Sequence, residues 1–234
     1  MPAPDVMDKL KGQFIVFDGP DGCGKSTQRR MLAERLGAAG LEVVECKDPG
    51  GTDIGERIRH VLLGYDLAEM DVRCETFLFM ASRAQLVGQV IEPALGVGKT
   101  VLCDRFVSST CAYQGAAGYD VAGIIELAQF AIGRTWPALT FVLDVDVEEG
   151  LQRTGREPKQ AGKRRVKHAG QHVLFHDTQT DAMEARPLEF HRRVREAFLR
   201  LPEFYPRSIQ IVDARRPADQ VHDSVWEILQ RVDL

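Results

Sequence analysis

The sequence predicts an α/β protein with a five-stranded parallel sheet flanked by helices on both faces. Two observations predict it. Five short apolar runs recur along the 234 residues, and stretches of helical character separate each run from the next. Strands of this length, joined through helices, pair in parallel and need cover on both faces.

In chain order, QFIVFD (13–18) reads as the first buried strand, Ser26 to Ala39 as a helix, and LEVVEC (41–46) as the second strand. A loop over Lys47 to Asp53 leads into a charge-rich helix ending near Leu63, and a longer helix runs from about Asp71 to Leu95. KTVLCD (99–104), TFVLDV (140–145) and SIQIVDA (208–214) are the remaining strands, and Ala218 to Val232 forms the last helix. One stretch breaks the rhythm. Between Gly155 and about Thr180 no apolar period is sustained, and residues 153–168 carry seven basic side chains against one acid. This reads as a flexible basic surface segment over 153–180 within a single domain spanning 1–234, with a plain solvated loop as the alternative.

Composition narrows the class. With 44% hydrophobic and 27% charged residues the chain matches ordinary soluble globular proteins, and a net charge of −4 gives no sign of a nucleic-acid partner. Cys23, Cys46, Cys74, Cys103 and Cys111 are odd in number and form no CxxC pair, which suits reduced structural thiols. The N-terminus has no signal-peptide pattern and no run of 18 apolar residues occurs, so the expected location is cytoplasmic, away from membranes.

The stretch GPDGCGKST (19–27) completes the pattern GxxxxGK[ST], after a predicted strand and at the opening of a predicted helix. That context is what the motif requires. Backbone N–H groups over Gly19, Gly22, Cys23, Gly24, Lys25, Ser26 and Thr27 would wrap a nucleoside triphosphate such as ATP. Lys25 would reach its β- and γ-phosphates and Ser26 would ligate Mg²⁺. Asp21 is out of place there, a carboxylate where anions bind. The loop alone leaves an ATPase, a GTPase switch and a kinase for a small acceptor all open.

Four further stretches bear on an acceptor. DPGGTDIGERIR (48–59) places Pro49, Gly50 and Gly51 in a tight turn at a strand exit, either a ligand loop or a plain turn. In FLFMASRAQ (77–85), Phe79 and Arg83 share a helical face. Such a pair can stack a base and grip a phosphate, although taken alone it reads as a core aromatic and a surface guanidinium. DRFVSSTCAYQG (104–115) puts Asp104 and Arg105 at a strand end, followed by a polar cluster. LDVDVEEGLQRTGRE (143–157) has Asp144 and Asp146 as strand-end residues and delivers Arg153 to the basic segment.

Taken in order, FDGPDGCGKSTQ, DPGGT, GERIR, SRAQ, DRFVSSTCAYQG, LTFVLDV, GLQR and FHRRVREAFL resemble the thymidylate kinase (dTMP kinase) family of P-loop nucleoside monophosphate kinases. The likeness runs from about Phe14 to Asp213, outside the basic segment. It implies transfer of the γ-phosphate of ATP to dTMP with Mg²⁺, on a P-loop NTP hydrolase-like sheet, in a homodimer, for dTTP synthesis. By matching position it implies that Asp21 accepts from the 3′-hydroxyl of the acceptor sugar, which answers the oddity of its place. Phe79 would stack on thymine with Arg83 near base and phosphate, Arg105 would hold the dTMP phosphate, and Asp104 would join Ser26 at the Mg²⁺. Pro49, Thr110, Tyr113 and Gln114 would line the sugar and base pocket, Tyr113 crowding the 2′ position.

The chain also departs from the family. Some members carry a catalytic Arg immediately after the loop Asp; here Gly22 stands there, so cations of a mobile lid, Arg153 and Arg156 first, would supply that charge. The lid is longer than the family's, and its Asp-Arg pair becomes Asp181-Ala182. Lys163, Arg164, Arg165 and Lys167 are the compensating cations within it. His168, His172 and His176 recur every four residues and, with Asp177, could form a metal site, but Gly170 weakens the helix and solvated histidines are the favoured reading. The missing arginine motivates a second hypothesis, a nucleotide-binding homologue with weak or lost transfer. A kinase for another deoxynucleoside monophosphate is the near variant.

Overall fold

The computed structural model describes residues 4–64, 70–155 and 186–234. Arg156, the histidines at 168, 172 and 176, Asp177, Asp181-Ala182 and nearly all of the expected lid lie outside the described residues. Five strands, β1 (Phe14–Asp18), β2 (Val43–Lys47), β3 (Thr100–Asp104), β4 (Leu139–Asp144) and β5 (Ile209–Asp213), form one sheet in the order β2-β3-β1-β4-β5. Every pairing is parallel.

The pleat shows why β1 sits at the centre. Successive side chains point to opposite faces, so a strand covered on both sides must be apolar throughout. Phe14 and Val16 enter one core with Phe106, Tyr113, Phe190 and Phe198, while Ile15 and Phe17 enter the other with Leu32, Leu36, Phe141 and Val225. Phe14 meets Phe106 edge-on at 5.0 Å, and Phe17 stacks on Phe141 at 5.3 Å. Each fully buried ring of this kind contributes about 1.5–3 kcal/mol of transfer free energy. The edge strand β2 is only partly covered.

One face carries α3 (Asp53–Leu63), α4 (Val72–Leu86), α6 (Val107–Ala116), α7 (Val121–Ile132) and α9 (Leu188–Arg200); the other carries α2 (Lys25–Ala38) and α10 (Ala218–Arg231). Arg35 of α2 lies 3.7 Å over the Trp226 ring of α10, a cation-π contact that joins the two. The short helix α8 (Val147–Arg153) follows β4.

Three local differences from the sequence reading have physical causes. A short helix α1 (Pro4–Leu10), which the reading omits, seals the second core with Val6 and Leu10. The long helix expected over 71–95 starts after the N-cap Asp71, whose side chain accepts from the Arg73 N–H, and widens into a π-turn over Val87–Ile91 before α5 (Glu92–Gly96). Pro93 has no N–H for the carbonyl one turn back, and the wider turn accommodates it. Strand β2 is displaced toward its C-terminal end, which brings Lys47 into register with Asp104.

Candidate active site

The carboxyl ends of β1, β2 and β3 converge on a cleft of about 350 Å³ whose lining includes Asp21, Lys25, Ser26, Pro49, Phe79 and Arg83. Asp104, Arg105, Thr110, Tyr113 and Gln114 complete the expected acceptor and metal residues, so side chains scattered over 94 positions of sequence meet at one sheet edge.

The phosphate loop begins directly after β1. Lys25 opens α2, is buried, and its Nζ donates to the carbonyls of Gly19 (3.2 Å) and Pro20 (2.8 Å). Gly24 caps the helix in the left-handed region, and Thr27 lies half-buried in the first turn. Gly22 has φ of 74°, and a Cβ on it would stand 1.9 Å from the Gly150 carbonyl oxygen; a Cβ on Gly150 would stand 2.3 Å from the Asp21 carbonyl oxygen. The loop and α8 thus meet backbone to backbone, which only glycine permits on both sides. Cys23 is buried beneath the loop, and burial pushes its thiol up despite the neighbouring Lys25.

Ser26 Oγ donates to Asp104 Oδ2 at 2.7 Å, joining the first turn of α2 to the end of β3. This leaves two hard oxygen donors side by side at the mouth of the loop, a donor set suited to Mg²⁺. Among the described residues no group of three or more His, Cys, Asp or Glu side chains could hold a metal ion.

Asp21 turns away from the loop interior. Arg105 Nη2 donates to its Oδ1 at 2.5 Å and the Tyr113 hydroxyl to its Oδ2 at 3.1 Å. Burial alone would raise this carboxyl, but Arg105 and Lys25 outweigh burial and hold it below the ordinary carboxylate value. Burial likewise pushes the Tyr113 phenol up, and it remains a neutral donor. Arg105 has φ of 66°, the only non-glycine residue with positive φ among the described residues. Its N–H donates to the Phe17 carbonyl at 2.9 Å, and its guanidinium also donates to Gly19 and Ser109. Strain of this sort persists where surrounding bonds over-determine it. Beneath it Asp18, fully buried, accepts from the Gly19 N–H at 2.9 Å and from the hydroxyls of Ser108 and Ser109 at 2.6 Å each.

The other wall is α4. The reading of Arg83, taken alone, as a surface guanidinium is overturned: the residue is 1% exposed. Its Nε donates to Asp48 Oδ2 at 2.6 Å, and its Nη2 donates to Thr110 Oγ1 at 2.9 Å and the Phe106 carbonyl at 3.1 Å. Asp48 lies 35 residues away and shares no local pattern with Arg83, so the pair had no signal in the sequence. Burial raises the Asp48 carboxyl even against Arg83, and its second oxygen has no partner among the described residues. Gln114 Nε2 at the cleft is likewise buried and without a partner among the described residues. Phe79 sits between these groups, 9% exposed. The tight turn read at Pro49 holds: Gly50 N–H donates to Ser82 Oγ (3.1 Å), Gly51 N–H to Glu56 (2.9 Å), and Arg59, which the reading omitted, donates to the Pro49 carbonyl (2.8 Å).

Arg153 stands elsewhere. Its guanidinium donates to Glu149 at 2.6 Å and to the Ala214 carbonyl at 2.8 Å, at the base of α8 and outside the cleft lining. Asp144 and Asp146 both accept from Arg195 of α9, which fixes that helix to the end of β4.

Known proteins share this sequence and architecture. The thymidylate kinase family model matches residues 17–225. Thymidylate kinase of Afipia carboxidovorans is 41% identical over 221 residues, covering 94% of this chain and 90% of that protein. Thymidylate kinase of Protochlamydia amoebophila is 41% identical over 224 residues, covering 95% of this chain and 94% of that protein. The crystal structure of thymidylate kinase from Ehrlichia chaffeensis superposes with a TM-score of 0.70 at 29% identity, covering 94% of this chain and 98% of that one. A family model that matches residues 17–225 and relatives 41% identical nearly end to end place the protein in the thymidylate kinase family.

Proposed function

We infer that the protein transfers the γ-phosphoryl group of ATP to the phosphate of dTMP, giving ADP and dTDP. The observation that supports this is the position of Asp21: the loop that would take a triphosphate on its backbone and Lys25 turns its carboxylate to the cleft shared by Arg105, Tyr113 and Phe79. Phosphoryl transfer needs little proton chemistry, so the chain's task is to align the two phosphates and offset their charge.

In this reading Lys25 releases the loop carbonyls to pair with the β- and γ-phosphates. Arg105 exchanges Asp21 for the acceptor phosphate, and freed Asp21 accepts from the 3′-hydroxyl. Phe79 stacks on the base, and the Gln114 amide donor, without a partner among the described residues, faces a base or sugar acceptor. Tyr113 closes the sugar pocket beside Asp21, while Pro49, Thr110 and Arg83 shape the base end. Ser26 and Asp104 would hold Mg²⁺, which when bound offsets charge between the phosphate oxygens. Arg153 and Arg156 remain the proposed lid cations, and Arg153 must leave Glu149 to serve.

A homodimer in the cytoplasm belongs to the same proposal. Support for the dimer comes from the outer surface of the packed helices α3, α4 and α7, where Val61, Phe77 (55% exposed) and Phe130 (90% exposed) face outward. Light scattering should give twice the chain mass, and Phe77→Lys should shift it toward one. Among the described residues no helix is long and apolar enough to cross a membrane.

The deciding experiment couples ADP release to a reporter with ATP, Mg²⁺ and, in parallel, dTMP, dUMP, dGMP, dCMP or no acceptor. Turnover with dTMP far above the others supports the assignment. Nucleotide binding without acceptor-dependent turnover would overturn it in favour of a binding protein.

A further inference from the structure

On α4, Glu75, Phe79 and Arg83 are spaced four apart and form one stripe. Arg83 at one end is held by Asp48. At the other end Glu75, 5% exposed, accepts from Arg186 Nη2 with both carboxylate oxygens at 2.9 Å. The proposed base-stacking ring thus lies between two ion pairs on its own helix face.

Arg186 also reaches the opposite wall. Its guanidinium carbon lies 4.6 Å from the Phe190 ring of α9, and that ring lies 6.3 Å from Tyr113, whose hydroxyl donates to Asp21. Arg195, further along α9, ties the helix to Asp144 and Asp146, so α9 is anchored on two sides. A single guanidinium therefore touches the α4 wall through Glu75 and, through Phe190, backs the α6 wall. Neither a phosphate nor a base needs to contact it.

We propose that Arg186 is a positioning and specificity residue that sets the separation between Phe79 and Tyr113, and so the width of the slot that takes a pyrimidine base. The planar guanidinium both forks onto a carboxylate and packs flat on a ring, which an ammonium does not reproduce. The proposal rests on the assignment of Phe79 and Tyr113 to the acceptor pocket.

The test compares Arg186→Ala, Arg186→Lys and the uncharged pair Glu75→Gln/Arg186→Gln with the parent protein, with Phe79→Ala as the control on the pocket. For Arg186→Ala the KM for dTMP should rise about tenfold with kcat and the KM for ATP within about twofold, the pattern of lost acceptor binding. The preference for dTMP over dGMP should fall about fivefold or more. Arg186→Lys should lie between parent and Arg186→Ala. If Arg186→Ala does not fold because Glu75 is left alone, the double variant, in which neither charge is stranded, carries the measurement. The inference is overturned if these variants keep the parent's KM and selectivity while Phe79→Ala raises the KM for dTMP. It is also overturned if ATP and dTMP are affected equally. An unchanged KM in Phe79→Ala would instead overturn the pocket assignment, and the inference with it.

Discussion

Arg105 donates to Asp21 at 2.5 Å from a backbone held at φ of 66°. The side chain and the strained main chain can be separated by substitution. Arg105→Ala and Arg105→Gly both remove the guanidinium and should both raise the KM for dTMP by at least about tenfold. Glycine, however, has no Cβ penalty in the left-handed region, so Arg105→Gly should be more stable than Arg105→Ala by about 1 kcal/mol in urea unfolding. Equal stabilities would show that the backbone there relaxes once the side chain is gone.

Lys25→Ala should lower kcat by about 10²-fold or more while dTMP still binds, since on the proposed function it removes charge from the migrating phosphoryl group. Calorimetric titration of dTMP beside single-turnover kinetics separates the two effects. Loss of dTMP binding to the same degree would mean that Lys25 supports the whole loop.

Gly150→Ala places a methyl group 2.3 Å from the Asp21 carbonyl oxygen, and that neighbour is backbone. The substitution should destabilise the protein by about 1–3 kcal/mol, as overpacking does. It should also weaken ATP binding, because the loop must shift. An exposed glycine offers the control: Gly37→Ala meets nothing within 4 Å and should be neutral or stabilising in chemical denaturation.

The Asp21 carboxyl lies below its ordinary value of 3.8 in the folded chain, since Arg105 and Lys25 outweigh the effect of burial. A carboxyl lowered on folding adds stability that is complete above about pH 4 and is lost as pH falls through the folded value. The stability gap between parent and Asp21→Asn should therefore be flat from about pH 5 to pH 8 and close below about pH 4. A gap that keeps growing between about pH 5 and pH 8 would assign the linkage to another group.

Among the five cysteines only Cys74 is exposed. Burial pushes Cys111 up to about 12 and raises Cys23 and Cys103 as well, so at mildly alkaline pH these remain thiols and react slowly. Native protein should consume one equivalent of a disulfide reagent per chain, and denatured protein five, the full complement. A Cys74→Ser variant that still reacts rapidly would show the core opening.

The fold was legible because it is written locally. The near-continuous apolar run at β1, the glycines and lysine after it, and the helical periods between strands each report on neighbours in sequence. Phe79 and Arg83 could be placed on one face for the same reason. What stayed hidden was long-range and energetic. Nothing near Arg83 announces that a carboxylate 35 residues earlier draws it into the interior, and nothing near Glu75 announces Arg186. Helix α1 eluded the reading because Val6, Met7 and Leu10 span little more than one turn, too short to set a period. Arg105's left-handed backbone left no trace because arginine is not the residue that such a conformation selects.

The contact between Gly22 and Gly150 also limits how this protein can change over evolutionary time. A side chain at position 22 cannot be gained by exchanging one codon there alone, because the space is already filled by the backbone of α8. A lineage placing a side chain there would first have to set that helix further out, giving up loop support before the new group could serve. A chain with glycine at both positions is thus separated by a valley from one with a side chain at either, and it stays on its own side.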